Sequence, residues 1–175
     1  CPLDLAPTTS TTASLALGDA IAVALLEAKK FKADDFAKSH PGGKLGKKLI
    51  LKVEDVMKKG KELPVVLPSD SLAETLIEIS SKGLGVALVI EKSNLKGIFT
   101  DGDLRRALNK KIDLLEAPIS TLMSKNAKTI AYSALATEAV KVMQRNQIYS
   151  LVVLDQKKQP KGLIRMHDLV ESGLV

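Results

Sequence analysis

Three small groups of side chains in this sequence have the types and spacing to do chemistry. His40 stands in Ser39-His40-Pro41-Gly42-Gly43, and a histidine can take up or release a proton near neutral pH. Thr100, Asp101 and Asp103 follow a short apolar run. An aspartate three residues after a strand-end threonine can accept hydrogen bonds from both hydroxyls of a ribose, while the threonine hydroxyl reaches a phosphate. Asp168 repeats that aspartate later in the chain, but Arg165 stands where the threonine would be. A guanidinium there can clamp a phosphate through paired hydrogen bonds, which alters the ligand preference rather than excluding a ligand.

Each group has a plainer reading. Asp103 and Asp168 also suit the first turn of a helix, where a carboxylate satisfies free N–H groups. His40 also suits a polar helix end before a proline. Arg105 and Arg106 read as surface charges or subunit contacts, and His167 as a partly buried structural residue. The four methionines read as core fillers. No pair of His, Cys or carboxylates has metal-ligand spacing, so no metal site is expected.

Composition narrows the function classes. The 175 residues suit one domain or two small ones, and 45% hydrophobic with 26% charged residues is ordinary for a globular protein. The 26 Lys+Arg against 20 Asp+Glu give +6. The lysines are spread in ones and twos, with three Phe, two Tyr and no Trp to stack on bases, so a nucleic-acid partner is not expected. A single cysteine, Cys1, supports neither an internal disulfide nor a zinc site and fits a reducing cytoplasm. No secretory signal is read, and no apolar stretch near the roughly 18 residues of a membrane helix is expected, so no membrane partner is either.

The elements that must position these residues fall into two textures. Ala6 to Thr12 is a hydroxyl-rich run that predicts a loop ending in helix caps. Its reading as a phosphate loop at a helix start ranks below capping. Ala13 to Lys30 is alanine-rich and apolar on most faces, which belongs inside something larger than forty-odd residues can enclose. Phe31 to His40 is a short, more polar helix candidate stopped by Pro41-Gly42-Gly43.

From Val53 onward one unit is written twice. An offset of roughly 65 residues relates Met57 to Met123, Gly97 to Gly162 and Asp103 to Asp168. Each copy predicts a short helical start, a brief strand, a helix, two strands and a last helix. In the first copy these fall near Val53–Met57, Pro64–Val66, Leu72–Ser81, Val86–Ile90, Lys96–Thr100 and Gly102–Asn109. In the second they fall near Ile119–Met123, Thr129–Ile130, Leu135–Arg145, Ser150–Leu154, Lys161–Arg165 and His167–Glu171. Ser71 and Glu74 fit a capping box, and the aligned Ala134 and Thr137 do not. Neither copy can bury its sheet and helices alone, so the two should close on each other as an α/β (α+β) module with pseudo-twofold symmetry.

This order of elements, with Gly97-Ile98-Phe99-Thr100-Asp101-Gly102-Asp103-Leu104 and Gly162-Leu163-Ile164-Arg165-Met166-His167-Asp168-Leu169, resembles a tandem pair of CBS domains. Pro2-Leu3-Asp4-Leu5-Ala6-Pro7 with the threonines after it, Gly18-Asp19-Ala20, Ser39-His40-Pro41-Gly42-Gly43 and Thr100 to Arg106 together resemble the arabinose-5-phosphate isomerase family. That family joins a sugar-isomerase (SIS) domain to a CBS pair. The resemblance implies an SIS remnant over residues 1–48, a first CBS domain over 49–113 and a second over 114–175. It implies a tetramer that interconverts D-ribulose 5-phosphate and D-arabinose 5-phosphate on the way to the sugar acid Kdo of lipopolysaccharide or capsule. It makes His40 an active-site residue, and Thr100, Asp101, Asp103, Arg165 and Asp168 a site for a nucleotide or sugar-nucleotide effector. No cofactor is implied. The carboxylates, the lysine and the Ser/Thr phosphate loop of the family's catalytic site have no counterpart in this chain, so the chain alone should not isomerise. Two other readings are a stand-alone nucleotide-binding regulator and a DNA-binding regulator, the latter needing a helix-turn-helix that this sequence does not supply.

Overall fold

Two units divide the chain in the computed structural model, Cys1–Leu49 and Ile50–Val175. The structure describes residues 5–32, 35–36, 44–109 and 114–175. His40 and most of the short helix expected over Phe31 to His40 lie outside the described residues.

In the first unit, α1 runs Thr9–Ala28, and α2, Lys44–Ile50, ends on the first residue of the second unit. Sequence predicts that hydroxyls of this run accept from first-turn N–H groups, whereas Thr8 at the cap position makes no side-chain cap bond and two hydroxyls inside α1 donate. Thr11 Oγ1 donates to the carbonyls of Pro7 (3.1 Å) and Thr8 (2.9 Å), and Thr12 Oγ1 to that of Thr8 (3.1 Å). The reason is the backbone at the cap position: Thr8 has φ −111° and ψ −60°, short of the extended conformation an accepting cap needs. Leu15, Leu17, Ile21, Val23, Leu25 and Leu26 go round α1 rather than along one stripe, and none of its residues is buried.

One expectation fails here. The 20-residue α1 contains an 18-residue window of mean hydropathy 1.4 with at most two charged residues, so by length and composition it is long and apolar enough to cross a membrane. Sequence inspection misses it because alanine, glycine, serine and threonine dilute the leucines without bringing in charge.

The second unit holds the repeat. Its elements are α3 (Val53–Val56), β1 (Lys58–Lys59), a 3₁₀ turn at Gly60–Glu62, β2 (Val65–Val66), α4 (Leu72–Lys82), β3 (Val86–Glu91), β4 (Asn94–Thr100) and α5 (Asp101–Ala107). A 3₁₀ turn at Ile119–Thr121 then opens the second copy, followed by β5 (Thr129–Ala131), α6 (Ala136–Asn146), β6 (Ser150–Leu154), β7 (Pro160–Arg165) and α7 (Met166–Glu171). In each copy the short strand lies parallel to the next, and the last two form an antiparallel hairpin: Val65 faces Leu88 and Val86 faces Thr100, as Thr129 faces Val152 and Ser150 faces Arg165. Helix α4 starts where predicted, on a reciprocal cap: the Ser71 N–H donates to Glu74 Oε2 (2.8 Å) and the Glu74 N–H to Ser71 Oγ (3.2 Å). Helix α6 has no such side-chain cap.

The strand β1 is not foreseen from sequence, and it shows how the copies are joined. It adds to the sheet of the other copy, Lys58 facing Leu163 and Lys59 facing Gly162, so one sheet reads β1-β7-β6-β5 and the other β2-β3-β4. The second copy returns the exchange: Ser124 and Ile98 trade backbone hydrogen bonds of 2.8 and 3.0 Å. The helix starts are crossed in the same way. The Val53 N–H donates to the Ala134 carbonyl (2.9 Å), and the Ile119 N–H to that of Asp70 (2.8 Å). Each copy's leading segment therefore completes the other copy.

Packing follows the same rule. One core joins Val53 to Met143, Leu151, Ile164 and Leu169, and the other joins Ile119 and Leu122 to Leu72, Val89 and Phe99. A third cluster of Leu63, Val86, Leu88, Val152 and Leu163 lies between the two sheets. Each fully buried aliphatic side chain contributes about 1.5–3 kcal/mol. Met143 is fully buried, and Met57, Met123 and Met166 pack at the core edges, filling gaps as unbranched side chains can.

Candidate functional site

Antiparallel pairing brings the end of β4 beside the start of β3, and the end of β7 beside the start of β6. The sheet-to-sheet core sets these two edges against one another. Between them lies a cavity of about 720 Å³, lined by Leu84–Val86 and Thr100–Asp103 from the first copy and by Gln147–Ser150 and Arg165–His167 from the second, with Ser124, Asn126 and Lys128 along one side. That volume suits one small organic ligand. A more open hollow of about 730 Å³ lies by the β6–β7 hairpin, where Lys161 is paired with Asp155 at 3.6 Å. The central cleft is the stronger candidate, because both strand-end motifs converge there around two buried carboxylates.

Asp103 is 4% exposed and fully hydrogen-bonded. Its Oδ2 accepts from the Thr100 N–H (2.9 Å) and Thr100 Oγ1 (2.7 Å), and its Oδ1 from Ser124 Oγ (2.6 Å) and Arg106 Nη2 (2.7 Å). Burial opposes its charge, but the hydrogen bonds from Ser124, Thr100 and Arg106 outweigh burial and hold the carboxyl below the usual carboxylate range. Asp168 is equally buried. Its Oδ2 accepts from the Arg165 N–H (3.0 Å) and Nε (3.1 Å), and its Oδ1 from Arg165 Nη2 (2.7 Å). Both aspartates thus hold the first turn of the helix they begin, as the plainer reading has it, and both border or underlie the cleft.

The sign of the pH effect follows. A carboxyl whose folded pKa is depressed stabilises the fold fully above its unfolded value, near 3.9, and loses that contribution as pH falls through the lower folded value. Asp103→Asn should therefore be less stable than the wild type at pH 7, with the gap closing on acidification below about pH 4. Urea melts at pH 7 and at pH 3 would check this; an equal gap at both would mean the charge is not what stabilises.

The sequence-predicted residues are only partly brought together. Thr100, Asp101, Asp103 and Arg165 line the cleft, whereas Asp168 lies behind Arg165. The clamp expected of Arg165 is already occupied: two of its nitrogens hold Asp168, and Nη1 reaches the Gly83 carbonyl at 3.4 Å. The carboxylate three residues on lies within hydrogen-bond reach, at 2.7 Å, and matches the fork. Arg106 is not a mere surface charge, since its tip reaches Asp103. His167 is exposed and pairs with Glu171 (3.1 Å), which corrects its reading as partly buried, because α7 turns that face to solvent. Ser124 goes unrecognised in the sequence, because its approach to Asp103 depends on the exchanged segments. Among the described residues no group of three His, Cys, Asp or Glu is placed to hold a metal ion.

The CBS domain model matches residues 53–110 and 119–174. The arabinose 5-phosphate isomerase KdsD of Pseudomonas aeruginosa is 53% identical over 176 aligned residues, covering 100% of this chain and 54% of its own length. The chain spans about half the length of the curated relatives it matches. Among solved structures, CBSX2 in complex with AMP superposes with a TM-score of 0.61 at 22% identity, over 71% of this chain and 96% of its own. The CBS domain pair of MJ0100, solved with 5′-methylthioadenosine and S-adenosyl-L-methionine, gives 0.63 at 18% identity over 71% and 96%. At those identities the likeness is one of fold.

Proposed function

Because the chain belongs to the CBS domain family, we propose that residues 49–113 and 114–175 are the paired sensor of a D-arabinose-5-phosphate isomerase whose SIS domain ends within residues 1–48. The observation that carries this reading is the extent of the identity to KdsD: it covers the whole chain, including the residues before 53 that the CBS match leaves out. A stand-alone sensor would have no need of that segment. The same reading assigns α1, apolar all round, to the interior of the isomerase domain rather than to a bilayer.

The intact protein would interconvert D-ribulose 5-phosphate and D-arabinose 5-phosphate for the Kdo pathway, in the cytoplasm and as a tetramer. Aldose–ketose isomerisation moves one proton through an enediol, so it needs an acid and a base and no redox cofactor. His40 would be one such group, with its partners elsewhere in the intact protein or on a neighbouring subunit. The central cleft would take a nucleotide or sugar nucleotide, with its ribose hydroxyls on Asp103 and its phosphate near Thr100. The adenosine compounds bound by CBSX2 and MJ0100 support this ligand class.

A thermal-shift series with AMP, CMP and CMP-sugars at millimolar concentration tests the sensor. A ligand that binds only the folded state raises the melting temperature. At least one of the series should do so, and no shift from any of them would remove the sensing role. The 175-residue chain by itself should show no turnover of either pentose phosphate in a coupled assay. Measurable turnover would mean that the catalytic groups are here after all.

A further inference from the structure

The two halves of the cleft are related by sequence but are not equivalent in access. We propose that the module binds one nucleoside phosphate per chain, seated on the Asp103 side, and that the matching position in the second copy is closed by the protein's own Arg165. This rests on the reading of the cleft as a nucleotide site and deepens it.

Access is one-sided. Asp103 borders the cavity, while its counterpart Asp168 is outside the lining. Ser124, Asn126 and Lys128 form one wall, and the residues roughly 65 positions earlier, Lys58, Gly60 and Glu62, form none.

The two aspartates also differ in what a ligand would have to displace. The Arg106 side chain is 68% exposed, and an arginine already in water leaves its carboxylate at little cost. One sugar hydroxyl can then take the acceptor position vacated on Asp103 Oδ1. The Arg165 side chain is only 19% exposed, and its departure would strand a buried carboxylate. Its third nitrogen reaches the Gly83 carbonyl of the other copy, so it also ties the end of β7 to the end of α4.

Isothermal titration of the 175-residue chain with AMP, and separately with CMP, tests the proposal. The expected result is a stoichiometry near one ligand per chain, falling to no detectable binding in Asp103→Asn. A stoichiometry near two would overturn it, as would an Asp103→Asn variant that still binds one equivalent. If Asp103→Asn does not fold, the wild-type stoichiometry decides alone. No binding of AMP, CMP or the CMP-sugars, by titration and by thermal shift alike, would overturn the proposal together with the sensor reading, a result distinct from two sites.

Discussion

Gly97→Ala and Gly162→Ala should each destabilise the second unit by about 2–3 kcal/mol, the range of overpacking in a closed interior. A Cβ at Gly97 would stand 2.6 Å from the Ser124 carbonyl oxygen and 2.9 Å from Met123 Sδ. A Cβ at Gly162 would stand 2.5 Å from Met57 Sδ and 2.9 Å from the Lys58 carbonyl oxygen. In both places the obstacle is the leading segment of the other copy. A methionine tip can swing aside, but a carbonyl held in a strand pairing cannot, so the exchanged segment has to lift. Gly102→Ala is the control. Its Cβ would meet nothing closer than 3.5 Å, and alanine in a helix gains up to about 1 kcal/mol over glycine. Urea denaturation of the three variants would check the contrast. Equal stabilities would mean that the crossed segments are not held as described.

Arg165→Ala should be the most damaging change in the cleft, at about 3–5 kcal/mol, because it leaves the Asp168 carboxylate buried with no cation. Arg106→Ala, the same truncation at the partner of the other aspartate, should cost no more than about 1 kcal/mol. Arg106 is largely in water, and Asp103 keeps Thr100 and Ser124 when it goes. Comparing the two by thermal and urea melts separates a structural fork from a displaceable one. If both cost the same, exposure is not what distinguishes the two sides.

The sequence alone reveals the duplication, the type of nearly every element in the second unit and the convergence of Thr100, Asp103 and Arg165. These rest on local signals. Valine and isoleucine runs mark β3 and β6, a serine with a glutamate three residues on starts α4, and glycines recur at one offset. What it hides depends on distance in the chain. The two-residue β1 has no run long enough to read as a strand, and it forms because β7 offers an open edge. The role of Ser124 follows from that exchange, and the Arg165 fork from a carboxylate that burial brings within reach. The apolar length of α1 is hidden for a different reason: small residues interrupt the hydrophobic run to the eye but leave the average high.

The crossed leaders also govern how the polypeptide can be made. Val53 and Met57 are synthesised first but belong to a core whose other members run from Ile130 to Leu174, so the nascent chain carries them unburied until its last strand has emerged. Contacts spanning a hundred or so residues slow the search for the native arrangement. A gene cut after residue 113 would yield no miniature of the parent, only a fragment whose opening segment has nowhere to dock. A single copy of such a unit would have to meet a second one to bury its leader, an encounter that this chain makes within one molecule.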